Sequence, residues 1–313
     1  MAALKLKTVT RLQGNNAALK DGSVQPVGFE FDFQDVPVLI DGFRRMVRGL
    51  EFDLSEMALT TYVCAREHGV RFTALPIFLV RAFHHGAILV NDQITTPKDL
   101  EGRRVGVNRG YTVTTGLWAR SVLQREYGVD LKKITWVLSG DEHVAEYRPP
   151  ANVVPIAPGR KMAEMLTSGE LAGAIGVEVT APNVRPLIPD AAEAGYAALR
   201  ERGHYPINHL MVVKDELLQA HPEVAQPVFE AFAESKRRYV TDLRAGTIAK
   251  PTVMDEMHRR VMQITGADPL PYGIDANRAP LQEALQSALE QGIIDRVPPL
   301  EELFAAGTQT LSA

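Results

Sequence analysis

Phe52–Gly69 reads FDLSEMALTTYVCAREHG. Phe52–Leu54 is a brief strand, Ser55 is placed to cap a helix running through Tyr62 and Cys64 to His68, and Gly69 stops it. A strand that feeds straight into a helix is the repeating unit of a helix-flanked sheet. Upstream, Met1–Arg11 (MAALKLKTVTR) alternates as a first strand, Asp21-Gly22 marks a turn and Gly28–Phe33 is a second strand. Leu39, Phe43, Met46, Val47 and Leu50 keep helical spacing.

The same alternation continues downstream. Phe72–Leu75 and Ala87–Asn91 are strand-like, as are Arg104–Val107, Ile134–Val137 and Ala172–Gly176. Helical stretches run from about Thr112 to Tyr127, Arg160 to Thr167 and Asp190 to Arg202. His209–Val213 (HLMVV) is a strong strand, and Glu223–Arg244, Thr252–Thr265 and Pro280–Gln291 are helical. This order predicts an α/β protein of two lobes, each a helix-flanked sheet. Lobe I is read as residues 1–95 plus 206–313, with lobe II, 96–205, inserted, and a ligand cleft is expected between them.

The bulk composition narrows the partners. The 313 residues carry a net charge of −4, with 45% hydrophobic and 23% charged residues, and no Lys/Arg run of the kind that tracks phosphates, so nucleic acid is not an expected partner. No stretch of ~18 apolar residues occurs, so no membrane span is expected. Met1–Arg11 lacks the apolar core of a secretory signal, and Cys64 is the one cysteine, both of which fit a cytoplasmic protein.

Candidate chemistry lies where strands end. Ser55-Glu56 follows one strand, and Asn108-Arg109-Gly110-Tyr111-Thr112 follows another and opens a helix that Thr112 or Thr114 can cap. Capping alone accounts for Ser55 and Thr114, and a first-turn acid for Glu56. His84-His85 precedes a strand and His209 begins one. No HExxH or Cys/His zinc spacing, no GxSxG elbow and no Gly-rich phosphate loop is present.

Six segments in order, FDLSEMALTTYV (Phe52–Val63), Arg81 with His85, DLEGRRVGV (Asp99–Val107), YPINH (Tyr205–His209), PYGIDANR (Pro271–Arg278) and EQGIIDR (Glu290–Arg296), make the chain resemble the 4,5-dihydroxyphthalate decarboxylase family. That resemblance implies a type II periplasmic-binding-protein-like fold and a carboxy-lyase that converts 4,5-dihydroxyphthalate, a small aromatic dicarboxylate, to protocatechuate. It departs from the family pattern at Gly14-Asn15, at His84 and at Leu270. His85, His209 and Glu56 are the implied acid–base groups. Substrate contacts are implied at Ser55, Arg81, His84, Arg109, Tyr111, Thr114 and Tyr205. No organic cofactor is implied; a divalent ion on His84, His85 or Glu56 stays open, as does a homo-oligomer. The alternatives are a non-catalytic solute-binding protein and a same-fold enzyme for another aromatic acid.

Overall fold

The computed structural model describes residues 4–313, so the first three residues of the predicted opening strand lie outside it. In chain order the elements are β1 (Leu4–Val9), α1 (Ala17–Lys20), β2 (Phe29–Phe33), α2 (Leu39–Gly49), β3 (Leu54–Ala58), α3 (Leu59–Glu67) and β4 (Phe72–Arg81). Then come β5 (Ile88–Asn91), β6 (Arg104–Val107), α4 (Thr114–Arg125), β7 (Thr135–Leu138), β8 (Val153–Pro155), α5 (Met162–Thr167), β9 (Gly173–Ile175), β10 (Val184–Pro186) and α6 (Ala191–Arg202). The chain finishes with β11 (Ile207–Lys214), α7 (Asp215–Ala220), α8 (Ala225–Ala245), α9 (Val253–Thr265) and α10 (Arg278–Glu290).

Two compact units result. Unit 1 comprises Met1–Arg81, Ile207–Gln282 and Pro298–Ala313; unit 2 comprises Ala82–Pro206 and Glu283–Val297. The first junction therefore falls at Arg81/Ala82, earlier than the expected position near residue 95, and two further junctions, at Gln282/Glu283 and Val297/Pro298, join the two anticipated ones. The reason is pairing: β5 hydrogen-bonds to β9 and β10, so it belongs to the second sheet although it follows β4 closely in sequence.

Unit 1 is built on a five-stranded sheet of order β2-β1-β3-β11-β4. β1 runs parallel to β2 and β3, while β11 runs antiparallel to both β3 and β4. All five residues of β3 are buried, Ser55 and Glu56 included. This corrects the reading of Ser55 as a helix cap: the strand continues to Ala58, the helix begins at Leu59, and Ser55 Oγ donates to the Glu56 carbonyl at 2.7 Å. A central strand covered on both faces loses the polar/apolar alternation that marks its length. Behind the sheet, Tyr239, Val240, Leu243 and Leu270 form an apolar cluster. Gly14 is pressed against the Tyr239 ring so closely that a Cβ there would overlap it.

In unit 2 the six strands run β10-β5-β9-β6-β7-β8, with β9, β6, β7 and β8 mutually parallel. Met162, Met165 and Leu166 of α5 pack on Val137 and Ala174 of the sheet. Among the described residues no helix is long and apolar enough to cross a membrane.

Candidate active site

In open α/β sheets ligands bind beyond the carboxyl ends of strands, where the strand order reverses. In unit 1 that point lies between β1 and β3, because β2 leaves β1 on one side and β3 lies on the other. Thr10 and Arg11 follow β1 directly, and β11 enters at the same edge, with His209 opposite Ala58 and Met211 opposite Glu56.

These strands assemble a carboxylate–imidazole pair. His209 Nδ1 lies 2.6 Å from Glu56 Oε1. The other Glu56 oxygen accepts from Thr10 Oγ1 at 2.7 Å, the Arg11 amide at 3.2 Å and Gln13 Nε2 at 3.3 Å. Burial pushes the Glu56 carboxyl upward, but the bonds from His209 and Thr10 and the nearby positive charge outweigh it and hold the group below the usual carboxylate range. A permanent carboxylate on Nδ1 fixes that nitrogen as a donor, leaving Nε2 to exchange a proton. Phe43 of α2 meets the imidazole edge-on, with centroids 5.2 Å apart, and sets the ring plane. Glu56 has no exposure, whereas the His209 side chain retains 18%, so the histidine is the accessible member.

The surrounding cations are differently engaged. Lys20 Nζ donates to the Thr10 carbonyl and lies 5.1 Å from the Phe33 ring centre. Arg81 ends β4 but is buried, donating to the Asn277 side-chain oxygen. Beside it stands a second polar cluster, in which the Tyr239 hydroxyl is 2.6 Å from Asp255 Oδ1 and 2.8 Å from His258 Nδ1. Burial, aided by the Arg81 charge, pushes the His258 imidazole down to about 4.

Unit 2 holds the remaining predicted residues. Its strand-order reversal lies between β6 and β9, where Asn108, Arg109, Thr115 and Gly176 border a cavity of about 70 Å³. Arg109 adopts a left-handed conformation (φ 71°), with its amide donating to Ser139 Oγ at 2.7 Å. The residue is exposed overall and has no acidic partner among the described residues, though partial covering of its side chain lowers the guanidinium pKa. Tyr111 is buried, with the Arg120 guanidinium 3.8 Å from its ring centre. Thr114 is buried in the first turn of α4, whose N-cap is Val113 without a side-chain cap, so the expected threonine cap is not formed. The amides of Tyr111 and Thr112 donate instead to Glu142.

His84 and His85 are both buried in unit 2. His85 Nε2 lies 3.0 Å from Glu126 Oε2, and His204 Nδ1 lies 3.0 Å from Glu283 Oε2. Arg202 contacts both carboxylates, and the two imidazoles are 6.2 Å apart. His85 thus belongs to an interior ionic network. Tyr205 packs beside Phe83, centroids 5.5 Å apart. Among the described residues no group of three or more His, Cys, Asp or Glu side chains is placed to hold a metal ion.

Sequence reasoning missed Thr10, Arg11 and Gln13. The signal was available: the carboxyl-end rule that drew attention to the residues after β6 applies equally to the loop after β1.

A 4,5-dihydroxyphthalate decarboxylase from Comamonas testosteroni is 29% identical over 325 residues, covering 97% of each chain. The chain resembles the 4,5-dihydroxyphthalate decarboxylases along nearly its whole length. No protein-family model matches it. Among solved structures, the desulfurization enzyme DSZB superposes with a TM-score of 0.54 at 15% identity, covering 98% of this chain and 97% of that one. The periplasmic aliphatic sulphonate binding protein SsuA from Escherichia coli gives 0.53 at 11% identity, covering 99% and 100%. These likenesses identify the fold as that of the periplasmic binding proteins, shared by the decarboxylase-like chain, a solute binder and an enzyme.

Proposed function

We propose that this protein is an aromatic carboxy-lyase that converts 4,5-dihydroxyphthalate to protocatechuate, with His209 as proton donor and Glu56 as the group that orients it. The observation that carries this reading is the Glu56–His209 pair: a fully buried carboxylate saturated by donors, bonded to a histidine whose side chain is still accessible.

The chemistry balances without an added reactant. Each ring carbon that bears a carboxylate has a hydroxyl para to it. Electron density from that hydroxyl lets the carbon take the proton from His209 Nε2. The bond to the carboxylate then breaks, its electron pair returns to the ring and carbon dioxide leaves. A histidine has an unperturbed pKa near ~6.5 and suits proton delivery at neutral pH. The identity to the Comamonas relative supports this substrate.

The fold shared with SsuA favours solute capture as a second reading. One assay separates the two. Purified protein is incubated with 4,5-dihydroxyphthalate, and protocatechuate and carbon dioxide are followed. Turnover is expected. Saturable binding without turnover would indicate a capture protein, and neither binding nor turnover would remove this substrate.

A further inference from the structure

We propose that Arg11 is the carboxylate anchor of the unit 1 site, gripping the carboxylate that the substrate retains and so selecting aromatic acids with a second carboxylate ortho to the leaving one. The inference rests on the function proposed above and adds a binding residue to it.

Arg11 has two separable parts. Its backbone amide donates to Glu56 Oε2 at 3.2 Å, which ties its position to the carboxylate that orients His209. Its guanidinium is not so engaged. Nε stands 3.9 Å from Glu56 Oε1, beyond hydrogen-bond reach, and the side chain is 50% exposed. Glu56 has no need of it, because His209, Thr10, the Arg11 amide and Gln13 already fill its acceptor sites. No other acidic side chain among the described residues pairs with Arg11. Its fork of donors is therefore open to solvent beside the Glu56–His209 pair.

Nearby cations do not duplicate this role. Lys20 is spent on the Thr10 carbonyl, and Arg81 is buried against Asn277. The guanidinium of Arg11 and the imidazole of His209 converge on the same Glu56 oxygen. A carboxylate held by the planar fork of Arg11 is thus set next to the proton donor. Holding the leaving carboxylate this way would stabilise the ground state and oppose its loss as neutral carbon dioxide. The ortho carboxylate, which keeps its charge throughout, is the group the fork suits. Such contact is equal in ground and transition states, so it acts on KM and leaves kcat nearly unchanged.

Two measurements on wild type, Arg11→Ala and Arg11→Lys test the idea: steady-state turnover of 4,5-dihydroxyphthalate, and calorimetric titration with phthalate, which lacks the hydroxyls. Arg11→Ala is expected to raise KM and weaken phthalate binding at least tenfold, with kcat within about threefold of wild type and Arg11→Lys intermediate. Catechol, which has no carboxylate, should inhibit all three proteins equally. Wild-type turnover with an unchanged KM and unchanged phthalate affinity in Arg11→Ala would overturn the anchor and leave the decarboxylase reading standing. Absence of wild-type turnover, with phthalate binding that depends on Arg11, would overturn the reading and keep the anchor. Wild type that binds no phthalate overturns the anchor outright. Arg11→Gln carries the same comparison if Arg11→Ala fails to fold.

Discussion

His209 and Glu56 are 153 residues apart in sequence and 2.6 Å apart in space, joined across the antiparallel pair β3–β11. The carboxylate is interior and the imidazole accessible, so the pair has a fixed orientation and one reactive nitrogen. His209→Ala is expected to cut turnover by about 10²-fold or more, the usual scale of a general acid. Glu56→Gln keeps the shape but removes the carboxylate that orients the ring, and should lower turnover about tenfold with substrate affinity little changed. Activity close to wild type in both variants, with chemistry limiting, would dismiss the pair as catalytic.

His85 is expected to behave differently. Its removal leaves Glu126, half-buried and already held by Arg202, with one partner fewer. Burial raises the Glu126 carboxyl, and the His85 bond is first among the contacts that bring it below its ordinary range. His85→Ala should cost about 1–3 kcal/mol of unfolding free energy, read by urea titration. Unchanged stability with turnover down a hundredfold would instead place His85 in the chemistry.

A pH dependence follows from His258. Its folded pKa, about 4, lies below the ordinary 6.5 because burial disfavours the imidazolium. The unfolded chain therefore binds the extra proton first. The contribution is complete above about pH 6.5, declines as pH falls, and is exhausted below about 4, amounting to about 3 kcal/mol. Between pH 7.5 and 4.5 the urea midpoint should fall in wild type and fall less in His258→Gln. Parallel curves would refute this assignment.

At the unit 2 strand-order reversal Arg109 offers a guanidinium with no acidic partner among the described residues. Arg109→Ala should weaken 4,5-dihydroxyphthalate binding about tenfold or more, the scale of one charged hydrogen bond, with the melting temperature unchanged. Equal affinity by calorimetry would remove Arg109 from ligand binding.

What the sequence disclosed divides along physical lines. Elements with a clear period, such as β11 and α8, were legible, and Glu56 and His209, both named as candidates from the sequence, lie hydrogen-bonded to each other. Ser55 was misread because β3 is buried on both faces and its polar residues are satisfied inside. β5 was assigned to the wrong unit because periodicity reports that a strand exists and not which sheet receives it. The inward turn of His85 depends on Glu126, 41 residues away, a pairing that no local pattern announces. Gly14 looked like a simple departure from the family pattern, but the Tyr239 ring packed against it leaves no room for a side chain.

The position of β11 between β3 and β4 has a consequence for synthesis. Both flanking strands are synthesised before Ala82–Pro206, and the strand that joins them comes only afterwards. At ~5–20 residues per second this interval lasts roughly 6–25 seconds. During it the nascent chain carries apolar strands with open hydrogen-bonding edges, a template for pairing with neighbouring chains. Chaperone crosslinking should therefore be heavier on ribosome-arrested chains that end before β11 than on those that extend past it.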